Sequence, residues 1–436
     1  MNFLKKIIVW ILTIESRIIL KRYRPYIIAV TGSVGKTSTK DAIFSVVKEG
    51  GGYVRKSEKS MNSDVGLPLT IIGAPNAWRS ATGWFRNIST GLDLILRKRE
   101  YPTCLILEIG ADHPNDIKKV ARWLRPHVAV ITRVSKTPVH VEFFSSPEEV
   151  FEEKASLAEA VRKNGTVILF ADDDKVLSIR ERVKNKSVQV RTFGTHERAD
   201  VRATDFHTTY SSSNSSVPEG IEFSVWTSGE TKTVSLKHVI GETYMYPALA
   251  AIAVGLVRNI KLDTIISALT GFESPKGRMR LLKGLNDSVI IDDSYNSSPD
   301  AVVSALKTLK DLQCSGSKIA VLGDMMELGK YSSDEHRKVG PIVASVVKRL
   351  VVVGPRSRLI GDEAIKNGLP ESQIFFAAEA NDAAQYLKPL VSKGDIVLVK
   401  GSQSIRLEKV VKTLLDSREN ADELLVRQEK EWLEKA

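Results

Sequence analysis

The run Thr31-Gly32-Ser33-Val34-Gly35-Lys36-Thr37-Ser38 has the residue types of a phosphate loop. Gly32 and Gly35 allow the backbone N–H groups of this run, those of Ser33 and Ser38 among them, to turn onto phosphate oxygens. Lys36 reaches the terminal phosphates, and Thr37 offers an oxygen to Mg²⁺. ATP or a similar nucleotide is the ligand that uses all of these parts. A general P-loop has another glycine where Val30 stands, so this is the shorter TGxxGKT form. Farther along, Glu108 ends an apolar run at 103–107 and enters the turn Ile109-Gly110-Ala111, a setting in which a carboxylate holds Mg²⁺. The loop after Thr132 carries His140 and Glu142. A single histidine is more often packed or at the surface than a ligand, so its residue type alone leaves the role of His140 open.

Each group needs an element to aim it. Tyr26-Ile27-Ile28-Ala29-Val30 reads as a buried strand feeding the phosphate loop, and 39–48 as the helix that follows. Strand, glycine turn and helix are the context that makes the match meaningful. Ser146-Pro147-Glu148-Glu149 opens another helix with a cap, a proline and early acids, and that helix carries Lys154 back toward the loop. Apolar runs at 289–291, 319–322, 350–353 and 396–399 alternate with helical stretches, predicting a doubly wound α/β unit. A β-rich excursion is expected near 187–238, with the polar stretch 208–218 as a hairpin or surface loop. Residues 416–436 read as a charged helix with a solvated face.

At roughly 150 residues per domain, 436 residues make two or three domains. With 42% hydrophobic and 26% charged residues the chain is an ordinary globular one, neither disordered nor polytopic. Cys104 and Cys314 stand far apart, which excludes a disulfide framework and a zinc ribbon and suits a reducing cytoplasm. Sixty-three Lys and Arg against 52 Asp and Glu give a net +11. Residues 1–60 supply 12 bases and four acids, hence +8 of it. These bases flank an apolar helix and the phosphate loop, with no aromatic-basic motif, so nucleic acid is not expected as a partner.

The motifs TGSVGKTST at 31–39, MNSDVGLPLT at 61–70, LEIGADHPNDI at 107–117, VHVEFFSSPEEVFEEK at 139–154, DDSYNSSPD at 292–300, VLGDMMELG at 321–329 and LVKGSQSIRLE at 398–408 occur in one order. In this they resemble the Mur ligases, the ATP-dependent amide-forming enzymes of peptidoglycan precursor synthesis, and among them the D-alanyl-D-alanine-adding branch. The resemblance runs from about residue 27 to residue 411. It implies an α/β chain in which a central P-loop ATPase domain (26–273) precedes a doubly wound, Rossmann-like C-terminal domain (274–436), with residues 1–25 as a basic helix ahead of both.

The resemblance also implies a reaction. ATP phosphorylates a substrate carboxylate, and an amine then attacks the acyl phosphate to give an amide, ADP and phosphate. In the branch in question D-alanyl-D-alanine joins a UDP-N-acetylmuramoyl-tripeptide. Thr37 and Glu108 match the residues that hold one Mg²⁺, and His140 matches a ligand of a second. Lys154 matches the family's carbamylated lysine, whose new carboxylate helps bind that second ion. Asp293 matches the acid on the ATP ribose, Arg278 a phosphate or nucleotide contact at the domain junction, and Asn296 lies in the loop that meets the acyl phosphate. Lys36, His140 and Lys154 are thus the catalytic set, working on small-molecule substrates in what is expected to be a cytoplasmic monomer.

The sequence departs from the family pattern in places. Thr243, Tyr244 and Pro247 stand where an adenine-reading Asn and its neighbours are usual, so either Tyr244 stacks on the base or purine selectivity is relaxed. Ser63 and Phe170 also replace asparagines. The P-loop begins at residue 31, so the family's UDP-binding N-terminal domain is not expected ahead of it in this sequence. Instead, residues 3–25 place Ile7, Ile8, Ile11, Leu12, Ile18 and Ile19 at helical spacing, with Trp10 inside and bases on both flanks. The run is too short to span a bilayer. Two readings fit it: a helix packed on the next domain, or residues 1–24 lying on an anionic membrane at the inner face of the plasma membrane. Two alternatives accompany the ligase reading: a related ligase with a different or membrane-presented precursor, and an inactive ATP-binding scaffold.

Overall fold

The computed structural model describes residues 3–58, 61–62, 64–78, 80–138, 140–184, 187–212, 214–429 and 432. Ser63 lies outside them. Nine strands form the first sheet: β1 (Tyr26–Thr31), β2 (Val54–Lys56), β3 (Cys104–Glu108), β4 (Val128–Ile131), β5 (Thr166–Phe170), β6 (Gln189–Gly194), β7 (Val201–Ser211), β8 (Asn214–Thr227) and β9 (Glu230–Lys237). Their order is β2-β3-β1-β4-β5-β6-β7-β8-β9. The first seven are parallel, whereas β7, β8 and β9 pair antiparallel and form the β-rich excursion. The polar stretch 208–218 runs along β7 and β8 on either side of their hairpin tip.

The second sheet holds β10 (Arg280–Lys283), β11 (Val289–Asp293), β12 (Lys318–Gly323), β13 (Arg349–Val353), β14 (Ile374–Ala377) and β15 (Ile396–Lys400) in the order β10-β11-β15-β12-β13-β14. All its pairings are parallel except β10 with β11. Strands β1, β3, β4, β12 and β15 are apolar along nearly their whole length and, like β11 with its two terminal aspartates, buried on both faces, as helix-covered parallel strands must be. Functional groups therefore collect at the carboxyl ends of these strands, where the chain turns out of the sheet.

Helix α1 (Phe3–Tyr23) stops before Pro25, which cannot continue it. Leu12, Glu15, Ser16 and Ile19 recur at helical spacing and are buried against α3 (Gly66–Ile72) and α4 (Ala81–Leu96). Ser16 Oγ donates to the Pro68 carbonyl at 3.4 Å, and Tyr23 Oη donates to the carbonyls of Leu94 and Arg97. One face of α1 is thus packed on its neighbours, while Ile7, Trp10 and Ile18 on the opposite face remain exposed. Burial without a charged partner pushes the Glu15 carboxyl up to about 7.

The C-terminal tail differs from its sequence reading. Past Asp416 the chain forms a single α-helical turn at Ala421–Leu424, started by Asn420, whose side chain accepts from the Asp422 N–H. Leu425 and Arg427 are then buried, with Arg427 at φ 58°, so residues 417–429 fold onto the unit of the second sheet instead of extending as a solvated helix, and residues 430, 431 and 433–436 lie outside the described residues. A charged composition does not distinguish the two outcomes, because here the charge is paired internally.

Candidate active site

Helix α2 (Lys36–Glu49) begins directly after the phosphate loop, with Gly35 as its cap in the left-handed region at φ 82°. No side chain caps it, so the first N–H groups of the helix are left for a ligand and the helix terminus favours an anion there. Gly32 sits against β4: a Cβ added to it would lie 1.9 Å from Thr132 Oγ1. Thr132 Oγ1 donates to the Val34 carbonyl at 2.8 Å, and the Ser33 N–H donates to the Arg133 carbonyl at 2.9 Å. The loop is therefore fixed from both sides by the end of β4.

Ser33, Gly35 and Ser38 line one cleft with Tyr244, Arg278, Asp293 and Asn296, so residues from both sheets meet there. Ser33 Oγ, Ser297 Oγ and Asp300 Oδ2 are buried without a hydrogen-bond partner, and all three residues line this cleft. Orphaned polar atoms around one cavity match a polar ligand that is to satisfy them. On the side of the nine-stranded sheet the wall is aromatic: Phe170, Phe193, Tyr244 and Tyr246 line it, and Phe170 meets Tyr246 edge-on with centroids 4.8 Å apart. Tyr244 is buried, its hydroxyl donating to the Arg278 carbonyl and accepting from Ser274 Oγ at 2.8 Å. Burial raises its phenol pKa.

The opposite wall is held by ion pairs. Asp293 ends β11 and accepts from Lys400 Nζ at 2.6 Å, with both side chains buried. Lys400 also donates to the Asn296 carbonyl at 3.0 Å. Arg278 stacks on the Tyr295 ring, 4.3 Å from its centroid, and Arg427 flanks the same ring at 5.3 Å. Arg427 donates to the carbonyls of Ser294 and Tyr295 and pairs with Glu408 at 2.9 Å.

Gly32, Lys36 and Thr37 of the phosphate loop, together with Glu108, His140 and Lys154, do not line the cleft itself. Thr37 Oγ1 donates to Glu108 Oε2 at 3.0 Å, and Asn62 Nδ2 donates to Glu108 Oε1 at 3.2 Å. A hydroxyl beside one oriented carboxylate suits Mg²⁺, which takes few protein ligands and fills its shell with water and phosphate oxygens. Among the described residues no three His, Cys, Asp or Glu side chains gather into a metal-holding group. Lys36 Nζ donates to the Gly32 carbonyl at 3.0 Å; burial lowers its pKa, against the pull of the Glu108 carboxylate. Lys154, on α6 (Pro147–Glu159; α5 is Asp116–Leu124), is buried. Burial first and repulsion by Lys36 second bring its ammonium down to about 7, against Glu153 and Asp112. His140, at φ 70°, has Nε2 3.6 Å from Asp112 Oδ1 and Nδ1 2.7 Å from Glu327 Oε2.

Residue type and spacing alone do not assign roles to Asp112, Asn62, Glu327, Lys400 or Arg427. Lys400 carries the same signal as Glu108, a charged residue closing a buried apolar strand, and Asp112 stands in the turn after Glu108. Nothing in the sequence around Arg427 marks it.

Residues 30–255 match the Mur ligase middle domain, and 277–403 the Mur ligase glutamate ligase domain. The UDP-N-acetylmuramoyl-tripeptide--D-alanyl-D-alanine ligase of Bacillus subtilis is 28% identical over 393 residues, covering 90% of this chain and 76% of that one. The Escherichia coli ligase of the same name is 26% identical, over 90% and 77%. MurF from Thermotoga maritima, solved in complex with ADP, superposes with a TM-score of 0.75 at 25% identity, over 93% of this chain and 83% of that one. MurF from Acinetobacter baumannii gives 0.74 at 25% identity, over 92% and 79%. With a P-loop cleft shared between two sheets and a family match over more than half its length, the chain belongs to the Mur ligases, a family of ATP-dependent amide-forming ligases.

Proposed function

We propose that this ligase joins D-alanyl-D-alanine to a UDP-N-acetylmuramoyl-tripeptide in peptidoglycan precursor synthesis, as a cytoplasmic monomer. The observation that carries this reading is the junction of the phosphate loop with Asp293 and Asn296 in one cleft, together with the names of the relatives that share it. In the first step a carboxylate oxygen of the precursor bonds to the γ-phosphorus and the β–γ bridging bond breaks, releasing ADP. In the second the amine bonds to the acyl carbon, loses a proton, and phosphate leaves.

Lys36 and the first N–H groups of α2 bear the negative charge of the transferring phosphoryl group. Asp293 is suited to the ribose hydroxyls, Arg278 to a phosphate, and Asn296 to the acyl phosphate. Tyr244 supplies part of the wall for the base. Thr37 and Glu108 would hold one Mg²⁺, and His140 with a carbamylated Lys154 a second. When bound, these ions neutralise charge on the phosphate oxygens. The Lys154 amine is suited to carbamylation: burial brings its ammonium down to about 7, which favours the neutral form that adds to CO₂ and releases a proton.

A second reading, a precursor presented at the membrane, is favoured by the exposed apolar and basic face of α1; residues 1–24 would then contact the anionic inner face of the plasma membrane. The experiment is Mg²⁺-dependent ADP release with UDP-N-acetylmuramoyl-tripeptide and D-alanyl-D-alanine, followed by mass spectrometry of the adduct. Release that needs both substrates, with the mass of the joined product, supports the first reading. Turnover only with a lipid-linked precursor supports the second, and ADP release independent of any amine sinks both.

A further inference from the structure

Helices α1 and α4 lie side by side over α3. A Cβ on Gly91 would meet the Glu15 carboxylate at 2.2 Å, and Tyr23 at the end of α1 bonds the carbonyls of Leu94 and Arg97 at the end of α4. The two helices therefore run in the same direction, each with its inner face on the body of the protein. The outward residues are Ile7, Trp10 and Ile18 on α1 and Phe85, Leu92 and Leu96 on α4, with Trp10 65%, Phe85 74% and Leu96 69% exposed. Steps of three, four, seven and eight residues keep each set on one helical face. Exposed apolar side chains gathered on two adjoining helices, and not scattered singly, mark an interaction surface.

The charge around this face is predominantly basic, with Glu100 after α4 as an exposed acid. Lys6, Arg17, Lys21 and Arg22 are exposed on α1, and Arg86 and Lys98 on or just after α4. The single acid of α1, Glu15, is buried against α4, and Asp93 of α4 is held by Arg97 and Arg99. A second copy of the chain docked through this face in a two-fold manner would bring the two basic rims together, which disfavours that occupant. Apolar side chains rimmed by Lys and Arg are instead complementary to the headgroup region of a bilayer with anionic lipid. No described helix is long and apolar enough to cross a membrane, so the contact is one of lying on the surface.

We propose that α1 and α4 together form a docking platform for an anionic lipid bilayer, with Phe85, Leu92 and Leu96 inserting beside Trp10. This extends to α4 the α1 contact proposed above and does not depend on which precursor the ligase uses. The platform also lies one helix layer from the candidate site: Ser16 bonds α3 at Pro68, and Asn62, just ahead of α3, bonds Glu108.

The test is flotation of the full chain with phosphatidylcholine vesicles, with and without phosphatidylglycerol. Binding is expected only with phosphatidylglycerol and is expected to fall as salt rises. Phe85→Ser with Leu96→Ser should lower the partition coefficient about tenfold or more, and so should Trp10→Ser. ADP release with soluble substrates should stay within about twofold for the same variants, because the changed side chains are exposed. No flotation, or full binding by the Phe85→Ser/Leu96→Ser variant, overturns the platform. A dimer in sedimentation that Leu96→Glu splits would assign the face to a second copy and overturn it equally.

Discussion

His140 Nδ1 lies 2.7 Å from Glu327 Oε2, with the imidazole on the half built around the nine-stranded sheet and the carboxylate on the other. A carboxylate at Nδ1 favours the tautomer with its proton there and turns Nε2 toward Asp112, 3.6 Å away, the arrangement by which outer carboxylates orient metal-binding histidines. Glu327→Gln should therefore weaken the apparent Mg²⁺ affinity about tenfold. Both side chains are partly exposed, so stability should change by less than about 1 kcal/mol. Titrating ADP release against Mg²⁺, alongside a melt, separates the two effects.

Lys154 governs the expected pH dependence. Burial brings its ammonium down to about 7, and only the neutral amine takes up CO₂, so carbamylation and activity should rise as the pH passes upward through this range and fall below it. Carbon-13 NMR with labelled bicarbonate should show a carbamate signal that Lys154→Arg abolishes along with ADP release. A full signal at pH 5 would contradict the assignment.

Arg427 and Glu408 are buried together, and Arg427 also holds the Ser294 and Tyr295 carbonyls beside Asp293. Arg427→Ala leaves Glu408 with Arg406 alone and frees both carbonyls. A loss of about 2–4 kcal/mol in denaturant unfolding is expected. The KM for ATP should rise as well, and unchanged values of both would show that the tail does not position the loop.

The aromatic wall of Phe170, Phe193, Tyr244 and Tyr246 offers stacking surface where the family usually has an adenine-reading asparagine. A wall that stacks discriminates less than one that hydrogen-bonds. KM values for ATP and GTP should lie within about tenfold of each other. Tyr244→Ala should raise both together, and a ratio in the thousands would mean that backbone groups read the base.

Much of the site was legible because it is local. The TGSVGKTS run alone specifies a glycine turn, a helix terminus and an ammonium on one strand end, and the structure places Gly35 in the left-handed cap that the turn requires. Glu108 was legible too, as a charge that closes a buried strand. Helix α1 was legible as amphipathic, but both of its readings had one apolar surface to explain, and only the packing of Leu12 and Ile19 divides that surface into an inner and an outer face.

The tertiary structure alone decided which charges meet. Lys400 reaches Asp293 across 107 positions, and Arg427 reaches Ser294 across 133. The reason is physical: a charged residue bound for solvent and one bound for a buried partner have the same side chain and the same local propensities. They differ only in what the folded chain brings within about 3 Å, the distance at which pairing offsets the cost of leaving water.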